Sequence, residues 1–574
     1  MRESKNIYSK ERKELQAQGL IPMWMSSGSW QIYKQKYLFN ASNVKEQYER
    51  FAKTLSKHIE GNYPDWWKEH YEGKTWEDVF YKILWDGDLS PSSPVHSNTG
   101  TTRGSTVSCS GGVIVDSVAG FYETRLETAV LTKEGFGTSA YLGDIRPRGS
   151  PISAGGKASG ALPVFQMFVD DMRKIAQGSA RRGAWAGSIE IDHPDFEEIR
   201  QYISTEVDDI NVGWIVKDNV IDGLKTNDAS YVKLFNKALK TKCDVGKGYF
   251  TFIDKINRAR PQTYKDHNLL VKASNLCQEI SLFSDEDHTY TCVLSSLNLS
   301  NYRQWNPKLT FIATVFLDCV AQEFIDRAKN IKHLEKAVRF TEKGRALGLG
   351  VMGLATLFQK ESIPFESFEA HMLNNRIFSD IQEESLEASQ WMAKVLGEPE
   401  WCKGYGVRNT HRTAIAPTKS TGLIMGGVSE GINPDVAMTY TQMTSAGEID
   451  RVNPVLLDIM KERGVYDKKH IQQLVDNNGS VQGEEIDWLN AHEKKVFKLA
   501  FEMDMMAILR LASARQKRLC QMQSLNLFFS SEEEESYIGK VHKAAFLDED
   551  IHSLYYCYSR RGVMASKDSC EACT

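Results

Sequence analysis

The chain closes with Cys570-Glu571-Ala572-Cys573, one residue from its carboxyl end. Two cysteines separated by two residues close a small disulfide or supply half a metal site. Zinc needs a second such pair, and the other cysteines show no matching spacing. Position adds to the motif. Cys570 stands fourteen residues beyond Tyr556, and an extended chain of that length reaches roughly 45–50 Å. A tethered dithiol can therefore visit a buried site and withdraw. A second constellation, Asn275-Leu276-Cys277-Gln278-Glu279, sits in an apolar run. Read as an extended segment, it gathers an amide, a thiol and a carboxylate at i, i+2 and i+4 on one face. Its alternative is an edge strand whose polar face meets water. Cys292 in TCVLSSLNLS and Cys109 in TVSCSGGVIVD lie on predicted strands, where a cysteine on its own is ordinarily packing. Tyr555-Tyr556 in SLYYCYS is by itself a β-favouring aromatic pair. The stretch APTKSTGLIMGGVSEGINP sets hydroxyls and backbone amides at a strand-to-helix turn, an arrangement that attracts anions.

These groups need a scaffold, and the texture of the chain predicts one. After about Ser90, β-rich runs alternate with helical segments: VSCSGGVIVDS, AWAGSIEID, VGWIVKD, GYFTFID, SNLCQEISLF, TCVLSSLNLS, LGLGVMGLA and RTAIAPTKS. Alternation of this kind predicts an α/β architecture, a barrel or wound sheet of at least eight strands. Several runs are apolar on both faces, as strands covered by helices are. Before them lies a charged, helix-favouring region with aromatic clusters at Met23-Trp24-Met25, Trp66-Trp67 and Trp85. After the acidic break Ser530–Glu535, the final residues RRGVMASKDSCEACT read as an uncored tail.

The bulk numbers exclude some functions. With 574 residues, 41% hydrophobic and 25% charged, the composition is that of a globular protein with a large core. A net charge of −5, mixed along the chain, gives no case for a nucleic acid polymer as partner. A polar amino terminus and the lack of any long apolar stretch predict no membrane association and a cytoplasmic location. Ten cysteines are too dilute for a disulfide scaffold; Cys243, Cys319, Cys402, Cys520 and Cys557 read as buried small hydrophobes.

Taken together, the motifs resemble the large (catalytic, alpha) subunit of class I ribonucleotide reductases, from KERKELQAQGL to the terminal CEAC. The resemblance implies a ten-stranded α/β barrel of two half-barrels with a catalytic finger loop, preceded by a helical N-terminal region. It divides the chain into residues 1–88, a catalytic barrel at 89–561 and a redox-active tail at 562–574. It also implies the reduction of ribonucleotides to 2′-deoxyribonucleotides. Cys277 matches the thiyl radical, Asn275 and Glu279 the residues that hold the ribose and accept its 3′-hydroxyl proton, and Cys109 with Cys292 the pair oxidised to a disulfide. Cys570 and Cys573 match the shuttle that re-reduces them, with thioredoxin or glutaredoxin behind it. Tyr555 and Tyr556 match a radical relay from a radical-generating beta subunit, although neighbours in a regular strand point to opposite faces.

Ser93, Ser108, Thr418, Lys419, Ser420 and Thr421 match substrate-binding positions, while Lys419 and Gly422 depart from residues frequent there, which leaves open how many phosphates are recognised. Asp116 matches the contact to an effector deoxyribose, Arg146 in DIRPRGSPI to its phosphate, and Gln177, Arg181 and Arg182 in AQGSARRGA the loop that carries effector identity to the substrate base. The implied effector is a dNTP or ATP with magnesium, bound by a homodimer. No cofactor or metal site is implied on the chain, whose radical comes from the partner subunit's cofactor. KERKELQAQGL begins almost at once, so an amino-terminal ATP-cone is expected to be absent. Two other readings stand beside this one: an adenosylcobalamin-dependent class II reductase with merely structural tyrosines, and a silent nucleotide-binding regulator.

Overall fold

A computed structural model of the chain describes residues 2–153, 155–177, 181–205, 210–444 and 447–559. The tail cysteines Cys570 and Cys573 lie outside those residues. Helices come first: Arg2–Ala17, Ser27–Ile32, Val44–Ser56, Trp67–Tyr71 and Trp76–Trp85. Asn43 starts the third by accepting the Glu46 N–H, and Thr75 with Asp78 forms a capping box at the last. Val44, Tyr48, Phe51 and Leu55 recur at helical spacing and are all buried, as are Val79, Phe80 and Ile83 on the Trp76–Trp85 helix packed against them.

Nine strands then form one sheet: β1 Leu89–Pro91, β2 Cys109–Val113, β3 Gly137–Tyr141, β4 Trp185–Glu190, β5 Asn211–Val216, β6 Tyr249–Phe252, β7 Tyr290–Asn298, β8 Leu347–Met352 and β9 Ser553–Leu554. From β2 to β6 the strands are parallel neighbours in chain order, with helices in every connection, as parallel pairing requires. All six residues of β4 and of β5 are buried. The direction changes at β7, which runs antiparallel to β2 and β1 along one edge and parallel to β8 along the other. Isolated parallel bridges, Leu349 to Thr413 and Ile415 to Gln523, carry the second parallel set onward. The sheet curls as a half-barrel fold, with two parallel sets meeting antiparallel at the β2–β7 seam.

The sequence expectation of an α/β fold with helices leading holds, with three differences of detail. RTAIAPTKS, read as a strand, joins the barrel through isolated bridges beyond the nine-stranded sheet formed among the described residues; Pro417, lacking an amide donor, ends that ladder. Gly137–Tyr141, too rich in small and hydroxyl residues to stand out in the sequence, is a fully buried central strand. SNLCQEISLF is not a strand at all, but a buried turn.

Candidate active site

The seam places two thiols opposite each other. Cys109 and Cys292 are direct Cα partners in the antiparallel β2–β7 register, and both are buried. Directly opposed antiparallel residues lie about 4.5–5.5 Å apart at Cα, within the roughly 4.4–6.8 Å that a disulfide spans. Burial raises the Cys292 thiol well above the ordinary range, so it keeps its proton. Its surroundings are close: a Cβ at Gly348 of β8 would lie 2.8 Å from the Cys292 sulfur, which is why that position carries no side chain. Asn275 donates Nδ2–H to the Cys109 sulfur at 3.4 Å, and Gln521 Nε2 approaches the Cys292 sulfur at 3.7 Å.

Cys277 reaches this region on a turn. The Asn275 side-chain oxygen accepts the amides of Glu279 and Ile280 at 3.1 and 3.2 Å, and Gln278 donates its own amide to the Asn275 carbonyl. Gln278 takes φ +64°, a left-handed conformation uncommon for a residue with a side chain, and its amide group is gripped by Thr251 and the Asn275 carbonyl. Both readings of an extended NLCQE segment are thereby overturned. The side-chain capture of two amides favours a turn over a ladder, and Asn275, Cys277, Gln278 and Glu279 are all at most 1% exposed, so no polar edge faces water.

Glu279 is wholly buried. Burial raises its carboxyl to about 7, against lowering hydrogen bonds from Asn275, its own backbone and Ser524. Ser524 donates to the Cys277 carbonyl at 2.6 Å and lies 3.4 Å from Glu279 Oε2. The other oxygen, Oε1, is buried with no hydrogen-bond partner among the described residues. A carboxyl poised near neutrality with a lone pair unclaimed can take a proton from a hydroxyl brought to it.

Tyr555 and Tyr556 fall between two strands. β9 pairs antiparallel with β6, whereas Cys557–Ser559 pairs parallel with Leu527–Phe529. In the gap, Tyr555 N donates to the Leu525 carbonyl and Tyr556 N to the Asn526 side chain. The change of partner strand supplies the irregularity that sequence could not show, and the two rings lie with centroids 4.2 Å apart at 56°. Tyr249 of β6 completes the group, 4.7 Å from the Tyr555 ring and 5.1 Å from that of Tyr556. Cys277 belongs to the same buried cluster as these three tyrosines.

The ribonucleotide reductase barrel domain matches residues 107–232, 218–401 and 399–557. The chain belongs to the ribonucleotide reductase family. The solved Actinobacillus ureae class Id ribonucleotide reductase alpha subunit is similar with a TM-score of 0.85 at 35% identity, covering 95% of this chain and 99% of that one. A putative ribonucleoside-diphosphate reductase large subunit of Frog virus 3 is 33% identical over 82% of this chain and 86% of its own length. A vitamin B12-dependent ribonucleoside-diphosphate reductase of Thermoplasma acidophilum is 31% identical over 74% of this chain and 58% of its own length.

In this reductase the expected substrate residues fall in two places, at the seam and at the glycine-rich loop. Ser108, beside Cys109, donates to Ser92 at 2.8 Å, and Ser93 opens a short helix with its hydroxyl 2.8 Å from Tyr37 Oη. Thr418 precedes helix Lys419–Ile424, and its hydroxyl accepts the Gly431 amide at 2.8 Å, closing the glycine-rich loop. Thr421 is buried, Ser420 half-buried and Lys419 exposed. On another side, Arg146 donates to Asp116 at 2.6 Å, so these two expected effector contacts pair with each other. Gln177 and Arg181 are partners in a two-residue antiparallel ladder, Ala176–Gln177 with Arg181–Arg182; the side chains of Gln177, Arg181 and Arg182 fall outside the described residues. Sequence reasoning passed over Tyr249, Gln521 and Ser524. The signal for the last two was alternation of polar side chains in the otherwise apolar QMQSLNLFF.

Proposed function

We propose that this reductase is of the class I type, a ribonucleoside-diphosphate reductase whose radical arrives from a separate radical-generating subunit through Tyr556 and Tyr555 to Cys277. The observation that carries the reading is the buried cluster that joins Cys277 to Tyr555, Tyr556 and Tyr249. An enzyme that makes its radical in place has no need of such a contact. Diphosphate specificity is supported by the names of the Frog virus 3 and Thermoplasma acidophilum relatives.

The chemistry assigned to each residue follows from its setting. The Cys277 thiyl takes the 3′-hydrogen of the ribose. Glu279, with Oε1 unclaimed, accepts the 3′-hydroxyl proton, which eases loss of the 2′-hydroxyl as water. Cys109 and Cys292, opposed in register, deliver two electrons and two protons and become a disulfide, after which Cys277 returns the hydrogen to the 3′-carbon. Exchange with the Cys570/Cys573 dithiol resets the pair, with thioredoxin or glutaredoxin as the outer reductant. Thr418, Ser420 and Thr421 at the loop, with Lys419, hold the substrate phosphates, and Ser93 and Ser108 contact the nucleotide.

A dNTP or ATP effector with magnesium binds around Asp116 and Arg146, and the ladder of Ala176–Gln177 with Arg181–Arg182 relays its identity. A homodimer is supported by the helix that follows Asp116. On helix Val118–Glu134, Val118, Tyr122 and Leu126 are 71%, 58% and 48% exposed at i, i+4 and i+8, an apolar stripe of the kind a second copy covers. The helical region at 1–88, the barrel at 89–561 and the tail at 562–574 are the proposed divisions. Residence in the cytoplasm fits a mechanism that needs Cys109 and Cys292 as thiols at the start of each turnover; among the described residues no helix is long and apolar enough to cross a membrane.

The test is substitution at both ends of the relay. Cys277→Ser is expected to abolish deoxynucleotide formation with nucleotide binding intact, and Tyr556→Phe to abolish it with the active-site thiols intact. Substantial product from either variant removes that residue from its role. The Thermoplasma relative keeps a second reading in view: turnover that requires adenosylcobalamin and no second protein would favour class II chemistry.

A further inference from the structure

The last turn of helix Ala229–Val245 is tied to the tyrosine segment at two adjacent residues. Lys242 is wholly buried; its ammonium donates to the carbonyls of Gly248 and Tyr555 and lies 5.4 Å from the Tyr249 ring centroid. Cys243, next in the chain, holds its sulfur 4.0 Å from that of Cys557. Cys557 directly follows Tyr556 and begins the strand paired with Leu527–Phe529. Sequence reading made both cysteines packing residues, and in part they are: both touch the main apolar core. Packing does not require two thiols within reach of each other from positions 314 residues apart, nor a cation between them and the backbone of the relay.

We propose that Cys243 and Cys557 form an oxidisable dithiol, closing to a disulfide under peroxide, which ties the Tyr555–Tyr556 segment to helix Ala229–Val245 and slows radical transfer. The gating part of this inference rests on the relay reading given above. The environment suits the chemistry. Hydrogen bonding from Cys557 and the nearby Lys242 ammonium pull the Cys243 thiol down, while Cys557 is pushed up by its bond to Cys243 and by burial. Cys243 is therefore the nucleophile, and being half-buried it is the sulfur that peroxide meets first. Its thiolate attacks one peroxide oxygen and the O–O bond breaks, leaving a sulfenic acid and a hydroxide that takes up a proton as water. The Cys557 sulfur, losing its proton to solvent, then attacks the Cys243 sulfur, and the S–O bond breaks with release of a second water. Two thiols are oxidised to one disulfide and one hydrogen peroxide is reduced by two electrons.

Closing the gap from 4.0 Å to the roughly 2.05 Å of an S–S bond draws on Cys557, whose backbone continues directly from Tyr556. Transfer between rings in van der Waals contact depends steeply on such placement, and displacement of about 1 Å at a reacting centre costs on the order of a hundredfold.

The experiment treats the pre-reduced full-length chain with hydrogen peroxide and maps disulfides by proteolysis and mass spectrometry. A cross-linked peptide joining Cys243 to Cys557 is expected, absent in Cys243→Ser and in Cys557→Ser. Thioredoxin-driven turnover of the holoenzyme should then fall about tenfold or more after peroxide, recover fully with dithiothreitol, and resist peroxide in either serine variant. Failure to find the cross-link, or an equal loss of turnover in Cys243→Ser, would overturn the proposal. The mapping does not depend on the relay. Normal turnover of untreated Tyr556→Phe would instead sink the relay reading, and the gating with it.

Discussion

Glu279 keeps a proton that an exposed glutamate releases. Its carboxyl titrates at about 7 in the folded chain, from an ordinary value of 4.5, because burial outweighs the hydrogen bonds from Asn275, its own backbone and Ser524. Between those values the folded chain binds more protons than the unfolded one. Stability is therefore lost as pH rises from 4.5 through 7, by roughly 3 kcal/mol at most. With Glu279 as the proposed base, activity runs the other way, since only the ionised form accepts a proton. The turnover rate should rise through an acid limb near 7, and Glu279→Gln should lose about a hundred- to ten-thousandfold in kcat while becoming more stable relative to the parent above pH 7. A pH–rate profile flat from 5.5 to 8 would show that Glu279 is not the base.

At the scale of the element, the turn at 275–280 is held by one amide side chain. Asn275 accepts two buried backbone N–H groups and donates to Cys109. Asn275→Ala leaves those donors without their acceptor, each at about 1–3 kcal/mol, and frees Cys277 to shift. Thermal or urea unfolding should show the loss as a lower midpoint, and kcat should fall further than stability alone requires. An unchanged midpoint would mean that the turn is held by Gln278 and its Thr251 contact instead. The strand switch at Tyr555–Tyr556 makes the same point: two ladders with different partners create a geometry that neither strand could.

Across the whole molecule, distant parts must cooperate. On the proposed mechanism Cys109 and Cys292 are spent once per turnover, and their reset is assigned to the Cys570/Cys573 pair at the far end of the chain. Cys570→Ser with Cys573→Ser is expected to give about one turnover from pre-reduced enzyme and then stall, with dithiothreitol restoring activity. Sustained thioredoxin-driven turnover in that double variant would exclude the tail as shuttle. The proposed regulation joins two chains. Asp116→Ala should weaken effector binding about ten- to hundredfold, as the loss of a charge-assisted hydrogen bond of roughly 1.5–3 kcal/mol implies, and should abolish effector-dependent base preference. Tyr122→Glu, which puts charge on the apolar stripe, should suppress effector-linked dimerisation in sedimentation; dimers of undiminished strength would place the interface elsewhere.

Residue types and local spacing were enough to point to the reductase family and to the residues proposed for its chemistry. Asn275, Cys277 and Glu279 stand within five residues of each other, the CEAC pair within four, and the alternation of apolar runs with helical segments announced an α/β fold before any contact was known. Local order also misled. An apolar run reads as a strand, yet Asn275 captures two amides and bends SNLCQEISLF into a turn, while the modest GTSAY becomes a central strand because its neighbours bury it. Tertiary structure alone decided that Cys109 meets Cys292 across a seam, that Tyr249 joins the two tyrosines, and that Cys243 lies beside Cys557. Each pairing spans from 183 to 314 residues of chain or depends on a change of partner strand. Register and burial are collective properties of the sheet, set by which strands become neighbours, and no local pattern of side chains specifies them.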